Sequence, residues 1–283
     1  MTTEDGMELE LQANAKINLA LDIVAVREDG YHDLDGVMQE IALHDTLTIE
    51  NGRGGFVLFC DHPHLKLDEN NLIYKAWDAL RDRVTDDSVI VELEKRIPLS
   101  AGLGGGSADA AAMLVGLNRL WNLNLTEEEL IEVAGTIDSD TAFFIQGGTQ
   151  RAQGRGNVLT PLPNFSQKPV LLINTGDTIS SRYVYDHVEL NGTIPVSKMI
   201  DLLQFDNLKA YTMMQNQMES VSFESIPKLL EIKSQLRESG ALAALMSGSG
   251  PTMFGLYETM EQAEEAYKRF EGKYPFVLLT RTV

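Results

Sequence analysis

A single cysteine, Cys60, occurs in 283 residues, so no internal disulfide can form, and Cys and His nowhere cluster densely enough for a structural zinc site. That poverty is what a reducing cytoplasm leads one to expect. Positive charge is also scarce: 23 Lys and Arg stand against 42 Asp and Glu, a net charge of -19. With no local Lys/Arg cluster to override it, that field repels nucleic-acid phosphates and argues against a nucleic-acid partner. No apolar run is long enough to cross a bilayer, and the N-terminal "MTTEDGMELELQ" lacks the basic-then-apolar order of a signal peptide. Internal repeats and low-complexity tracts are absent too. The expectation is a cytoplasmic protein without a membrane partner.

What remains is ordinary globular material, 43% hydrophobic and 23% charged, in a chain long enough for two cores. Period-two patterning begins at Met7, and the residues before it read as a short, poorly ordered extension. "MELELQ", "AKINLALDIVAV", "GVMQEIALHDTLTIE" and "GGFVLFC" read as strands, with a turn at Asp29-Gly30. From Asn71 to Val84 a helical stripe of Leu72, Ala76, Leu80 and Val84 follows, then a strand, "SVIVELEKRI". "SADAAAMLVGLNRLWNL" is rich in helix formers, and Thr126 with Glu129 makes a capping box for "EEELIEVAGTI". "TAFFIQGGTQRAQG" and "NVLTPLP" read as short β pieces, and "PLPNFSQKP" as a linker. After it come a buried strand, "VLLIN", helices near 182–187, 196–203 and 226–238, the runs "ALAALM" and "PTMFGLY", a helix at "MEQAEEAYKRF" and a last strand, "FVLLT". The expected organisation is α+β in two domains, 1–163 and 164–283.

Between a strand and a helix lies "IPLSAGLGGGSADAAAML". A helix N-terminus presents unpaired N–H groups and the positive end of the macrodipole, and glycines let backbone wrap closely around an anion there. Gly102, Gly104, Gly105 and Gly106 permit that, and Ser107 adds a hydroxyl. No Gly-Lys-Ser/Thr ending makes this a nucleotide P-loop, and Ser107 stands where a dinucleotide fingerprint needs glycine. His-Arg-Asp and Asp-Phe-Gly, the protein-kinase signatures, do not occur. Alone, the run serves equally as a hinge or a tight packing turn. A second small-residue loop, "MSGSGPT" with Gly248 and Gly250, pairs with it to suggest two walls of one phosphate-binding cleft.

"PLSAGLGGGSADAA", with "AKINLAL" near the start and "GSGPTMFGL" near the end, resembles the three motifs of the GHMP small-molecule kinases. "DGYH", "NLIYKA", "SDTAFF" and "LMSGSGPT" extend the resemblance over nearly the whole chain, towards the branch whose substrate carries a cytidine diphosphate. The resemblance implies a two-domain GHMP kinase fold: an N-terminal ribosomal-S5-domain-2-like domain, a C-terminal ferredoxin-like α+β domain, and an active site in the cleft between them. It implies an ATP-dependent kinase acting on an alcohol in isoprenoid synthesis, with Mg²⁺ as metal; a homodimer is a partnership that the sequence leaves open.

By the same resemblance, Pro98, Leu99, Ser100, Ala101, Gly102, Leu103, Gly104, Gly105, Gly106 and Ser107 surround the ATP phosphates, with Ser107 also a magnesium ligand. Asn71 and Ile73 line the adenine, whereas Leu72 belongs to the helix core. Asp140 matches the catalytic carboxylate that takes the proton of the attacking hydroxyl, and Lys16 the lysine that keeps it ionised. Read without the family, Asp140 is a helix-end residue and Lys16 an edge-strand charge. Lys16 does sit in an apolar alternating strand, where an unpaired ammonium is costly, with Asn18 on the same face as a substrate contact. Tyr31 and His32 match the cytosine-binding "GYH", Tyr185 is placed to stack on the base, and Gly248 lines the substrate. Three positions depart from the pattern: Asn14 replaces proline, Asp138 glycine, and Ala142 proline or serine. Alternative readings are a GHMP kinase for another small alcohol, such as homoserine or mevalonate, and a catalytically impaired nucleotide sensor.

Overall fold

The computed structural model describes residues 8–190, 192–205 and 207–283. Met7 and the extension expected ahead of it lie outside the described residues. Two strands are far longer than the usual five or six residues: β1 (Glu8–Val26) and β2 (His32–Asn51), joined by a turn in which Gly30 has φ +81°. Each contributes to both of the compact units into which the chain divides, so these interleave along the sequence. One comprises Met1–Ala15, Leu43–Leu99 and Gly104–Gln146, the other Lys16–Ala42, Ser100–Leu103 and Gly147–Val283.

In the first unit, Thr46–Asn51 of β2 pairs antiparallel with β4 (Val89–Glu94), and β3 (Phe56–Cys60) lies parallel to β4. The α1 helix (Leu72–Leu80) starts where the Asn71 side chain accepts from the Ile73 N–H, and it buries Ile73, Ala76, Trp77 and Leu80. The glycine run ends in α2 (Gly105–Leu120), whose small residues let it sink into the core: Ala108, Ala110, Ala111, Met113, Leu114 and Leu117 are all buried. At α3 (Glu127–Ile137) the expected capping box is present, Glu129 and Thr126 exchanging bonds reciprocally. The "TAFFIQ" segment differs from expectation. It is a short helix, α4 (Thr141–Gln146), and the strand begins only at Thr149. Its apolar run fits either structure, and the Asp138 carboxylate decides by accepting from the N–H groups of Asp140 and Thr141.

In the second unit, Leu34–Gln39 of β2 pairs with β5 (Thr149–Gly154), and β5 pairs with β6 (Val158–Pro161). A separate antiparallel sheet has the order β10-β7-β9-β8, built from β7 (Pro169–Asn174), β8 (Ala243–Met246), β9 (Met253–Leu256) and β10 (Phe276–Arg281). Helices α9 (Lys228–Glu238) and α10 (Met260–Phe270) cover it, giving the β-α-β-β-α-β sequence of a ferredoxin-like domain. Every residue of β7 is buried, as the alternation-free "PVLLIN" requires, and Phe270 of α10 is buried in the same core. Burial of such a side chain is worth about 1.5–3 kcal/mol. Between β7 and α9 run α5 (Ser181–His187), α6 (Val196–Leu203), α7 (Lys209–Met213) and α8 (Glu219–Ser225). The last two are too short to carry a periodic stripe, and patterning did not predict them. No helix among the described residues is long and apolar enough to cross a membrane.

Close backbone approach fixes the middle of β2. A Cβ added to Gly36 would lie 2.5 Å from the Ala20 carbonyl oxygen, an atom that cannot swing aside. Gly36→Ala is expected to lower stability by about 1–3 kcal/mol in denaturant melts, the cost of overpacking; a midpoint equal to the parent's refutes this account.

Candidate active site

In the second unit the two small-residue loops touch. The Ser247 hydroxyl donates to the Gly102 carbonyl at 2.8 Å, and a Cβ on Gly102, at φ +75°, would stand 2.1 Å from the Ser247 carbonyl oxygen. Only glycine satisfies both conditions. Lys16 joins the contact through its N–H, which donates to the Leu103 carbonyl at 3.0 Å. Its side chain is 4% exposed, and Nζ donates to Asn18 Oδ1 at 2.7 Å. The same Asn18 oxygen accepts from the Gly248 N–H at 3.0 Å. Lys16, Asn18, Gly102 and Gly248 therefore form one bonded group. Sequence reasoning missed its brace, the buried Asn216, whose amide donates to the carbonyls of Met246 and Gly248. It lies in no motif, and its role depends on a loop 30 residues away.

The glycine loop is anchored by side chains and presents backbone. Ala101 and Leu103 are buried, Pro98 and Leu99 half-buried, while Ser100, Gly102 and Gly104 all take positive φ. In the first unit, Gly104 is the N-cap of α2 with no side-chain cap bond, so the first-turn N–H groups of Gly105, Gly106 and Ser107 keep their donors for an anion. The Ser107 hydroxyl donates to Asp138 Oδ2 at 2.6 Å. Asp138 Oδ1 accepts from the Asp140 N–H at 3.0 Å, the Thr141 N–H at 2.7 Å and the Thr141 hydroxyl at 2.6 Å. Asp140 is half-buried at the start of α4. One carboxylate thus ties the first turn of α2 to the segment bearing Asp140.

Behind the loop lies a cluster that no motif signalled. Lys95 is buried between Asp45 and Asp109, with Nζ bonded to Asp45 and 2.9 Å from Asp109 Oδ2. Asp45 also accepts from the N–H groups of Arg96 and Ile97, and a Cβ on Gly105 would lie 3.3 Å from Nζ. Two carboxylates share one ammonium here. Burial pushes the Asp109 carboxyl up to about 7, Asp45 adding to the shift and Lys95 opposing it; the two carboxylates in turn raise Lys95 despite its burial. Asp109 Oδ1 is buried without a hydrogen-bond partner, as suits a carboxyl that gains a proton readily.

Of the residues expected around cytosine, His32 and Tyr185 meet in the second unit. The ring of His32, just past the turn after β1, lies 5.2 Å from that of Tyr185 in α5. Tyr31 is 51% exposed, and the Arg155 guanidinium sits 3.5 Å above its ring. Arg155, in the β5–β6 turn, was not foreseen; it becomes relevant only because β5 pairs beside the start of β2. The adenine expectation changes in detail. Asn71 caps α1, Ile73 is 1% exposed and belongs to the core, and Leu72 is half-buried with Cδ1 3.5 Å from where a Gly106 Cβ would be. The cap sets the phase of α1 and turns Leu72, not Ile73, towards the glycine loop.

Of the expected residues, Lys16, Asn18, Tyr31, His32, Ser100 to Leu103, Tyr185 and Gly248 lie in the second unit; Asn71, Ile73, Pro98, Leu99, Gly104 to Ser107 and Asp140 lie in the first. Residues 71–148 match the family model described as the GHMP kinases N terminal domain, and residues 199–275 the GHMP kinases C terminal. A 4-diphosphocytidyl-2-C-methyl-D-erythritol kinase from Caldanaerobacter subterraneus subsp. tengcongensis is 41% identical over 283 residues, covering 98% of each chain. One from Clostridium botulinum is 38% identical over 96% of this chain and 99% of its own. Among solved structures, a 4-(cytidine 5'-diphospho)-2C-methyl-D-erythritol kinase superposes with a TM-score of 0.83 at 30% identity, over 97% of this chain and 99% of its own. Homoserine kinase from Cytophaga hutchinsonii, at 17% identity and a TM-score of 0.78 over 100% of this chain and 96% of its own, shares the fold.

The Asp109 carboxyl carries a pH dependence whose sign follows from its raised value. Between about 3.8, its ordinary value, and about 7, the folded chain holds a proton that the unfolded chain has lost, so this group makes stability fall as pH rises through that window. Its share of the slope is at most about 1.4 kcal/mol per pH unit. Asp109→Asn keeps an acceptor for Lys95 and is expected to flatten that decline in urea melts taken from pH 4 to 7; parallel curves for parent and variant contradict it.

Proposed function

The chain belongs to the GHMP kinases, and from that membership we propose that it transfers the γ-phosphoryl group of ATP to the 2-hydroxyl of 4-diphosphocytidyl-2-C-methyl-D-erythritol, a step of non-mevalonate isoprenoid synthesis. The observation that carries the substrate assignment is the His32–Tyr185 ring pair, 5.2 Å apart, in the unit that also holds Lys16 and Asn18. A nucleobase needs such a platform, whereas homoserine or mevalonate offers nothing to stack. Lobes of 1–163 and 164–283 accompany this reading, supported by family matches that fall one on each side of that division. A cytoplasmic location goes with the same pathway.

Phosphoryl transfer asks mainly for positioning and for compensation of spreading charge. The N–H groups at the start of α2 and the positive end of that helix hold the phosphates, and Leu72 and Asn71 lie along the path to the adenine. Asp140 accepts the proton of the 2-hydroxyl as its oxygen forms the new bond to phosphorus and the bond to the ADP oxygen breaks. Lys16, oriented by Asn18, supplies the cation that steadies the acceptor oxygen. His32 donates to or accepts from the cytosine edge, and Tyr31 and Tyr185 enclose its faces. Ser107, a hard hydroxyl oxygen in the first turn of α2 with its proton donated to Asp138, would be the protein's ligand to a Mg²⁺. When bound, Mg²⁺ would offset the charge of the nucleotide phosphates.

Purified protein with ATP is expected to turn over the cytidine substrate and to leave homoserine and mevalonate untouched; phosphorylation of either in its place defeats the assignment. Asp140→Asn should cost about 10²–10⁴-fold in kcat with nucleotide affinity nearly unchanged, and undiminished turnover removes Asp140 from the chemistry. Tyr185→Ala should raise KM for the cytidine substrate by the equivalent of about 1–3 kcal/mol of stacking while KM for ATP stays constant; an unchanged KM for the cytidine substrate removes Tyr185 from its site.

A further inference from the structure

The Asp138 carboxylate contacts both Ser107 and the Asp140 segment. We propose that Asp138 is a positioning residue that prepares the Ser107 hydroxyl to ligate the divalent cation accompanying the nucleotide, in addition to capping α4. The inference rests on the proposed function, in which that cation lies at Ser107.

A serine hydroxyl has one proton and two lone pairs. Left to rotate, the proton spends part of its time pointing where a cation must bind. Here it is committed to Asp138 Oδ2 at 2.6 Å, within the range of a charge-assisted O–H···O bond, and both lone pairs are left for other partners. A carboxylate behind a metal ligand also raises the ligand's basicity and fixes its orientation. Glycine at 138 could do neither.

Four donors fix the Asp138 carboxylate: the Asp140 N–H, the Thr141 N–H and the Thr141 hydroxyl on Oδ1, and Ser107 on Oδ2, so that Oδ2 is turned to the Ser107 hydroxyl. Thr141 is fully buried and Ser107 is 7% exposed, so the partners that aim the carboxylate have little freedom to leave. In this arrangement its influence on the cation passes through the Ser107 oxygen, to which Oδ2 is bonded.

Asp138→Asn separates the two roles. The amide oxygen still accepts from Asp140 and Thr141, but the amide nitrogen turned towards Ser107 can only donate, so the hydroxyl proton is displaced towards the cation. Mn²⁺ binding in the presence of a non-hydrolysable ATP analogue, followed by electron paramagnetic resonance, is the direct readout. The Mn²⁺ dissociation constant is expected to rise about tenfold or more, as for lost outer-shell partners, with metal-free nucleotide affinity and melting temperature near the parent's. In a Ser107→Ala background the same substitution should add nothing. Asp138→Gly, which removes the carboxylate altogether, is the second variant should the asparagine protein fold poorly, and the same weakening is expected. Parent-like Mn²⁺ affinity in a folded Asp138 variant, when Ser107→Ala alone weakens it, overturns this inference and leaves the proposed function standing. Parent-like affinity in Ser107→Ala as well removes the cation from Ser107, and the inference falls with that assignment.

Discussion

The approach of Gly102 to Ser247 is the contact on which the bonded group of Lys16, Asn18 and Gly248 in the second unit depends. No side chain fits at Gly102, because a Cβ would stand 2.1 Å from a backbone oxygen and φ is positive. With the loops held at that distance, Leu103 meets the Lys16 N–H and Gly248 meets Asn18. Buried backbone polar groups must be paired, so each of these bonds helps to hold the others in register. Lys16 is thereby kept inside β1 with its ammonium aimed by Asn18 rather than left as a mobile surface charge.

The first unit meets a different demand, that of keeping charge inside. A chain of net charge -19 must hold an anionic nucleotide, and its long-range field works against that encounter. In the proposed function the donors that meet the phosphates are short-range ones, the uncapped amides at the start of α2. Salt screens the overall repulsion beyond about 10 Å. Lys95 is itself tolerable only because Asp45 and Asp109 flank it, and the surplus negative charge of that trio appears as the raised Asp109 carboxyl.

Features that depend on neighbouring residues were legible from the chain. The Thr126–Glu129 capping box, the period-two strands, the glycine run opening a helix and the Asp29-Gly30 turn all appear as expected, because each is a bond or conformation completed within a few residues. Family resemblance extended the reading to His32 and Tyr185, which lie 153 positions apart and meet as rings. At "TAFFIQ" the reading went astray over a local bond that an apolar pattern does not show: Asp138 accepts from the Thr141 N–H three residues on, and the run is helix. Leu72, expected in the helix core, is half-buried instead, the phase of α1 being set by the Asn71 cap. Short α7 and α8 offered too few turns for a pattern, and Asn216, Lys95 and Arg155 acquire meaning only from loops and strands remote in sequence.

By itself, then, the order of amino acids determined the α+β class, most of the strands and helices and the glycine run that opens α2, which follow from periodicity, local capping and contiguous motifs. The resemblance of those motifs pointed to the small-molecule kinases and a ferredoxin-like C-terminal domain. Tertiary structure alone decided which buried charges lie behind the loop and which oxygen holds the Ser107 proton. Those outcomes rest on distances between atoms far apart along the chain, and a Coulomb or hydrogen-bond partner has no signature in sequence until folding brings it within about 3 Å.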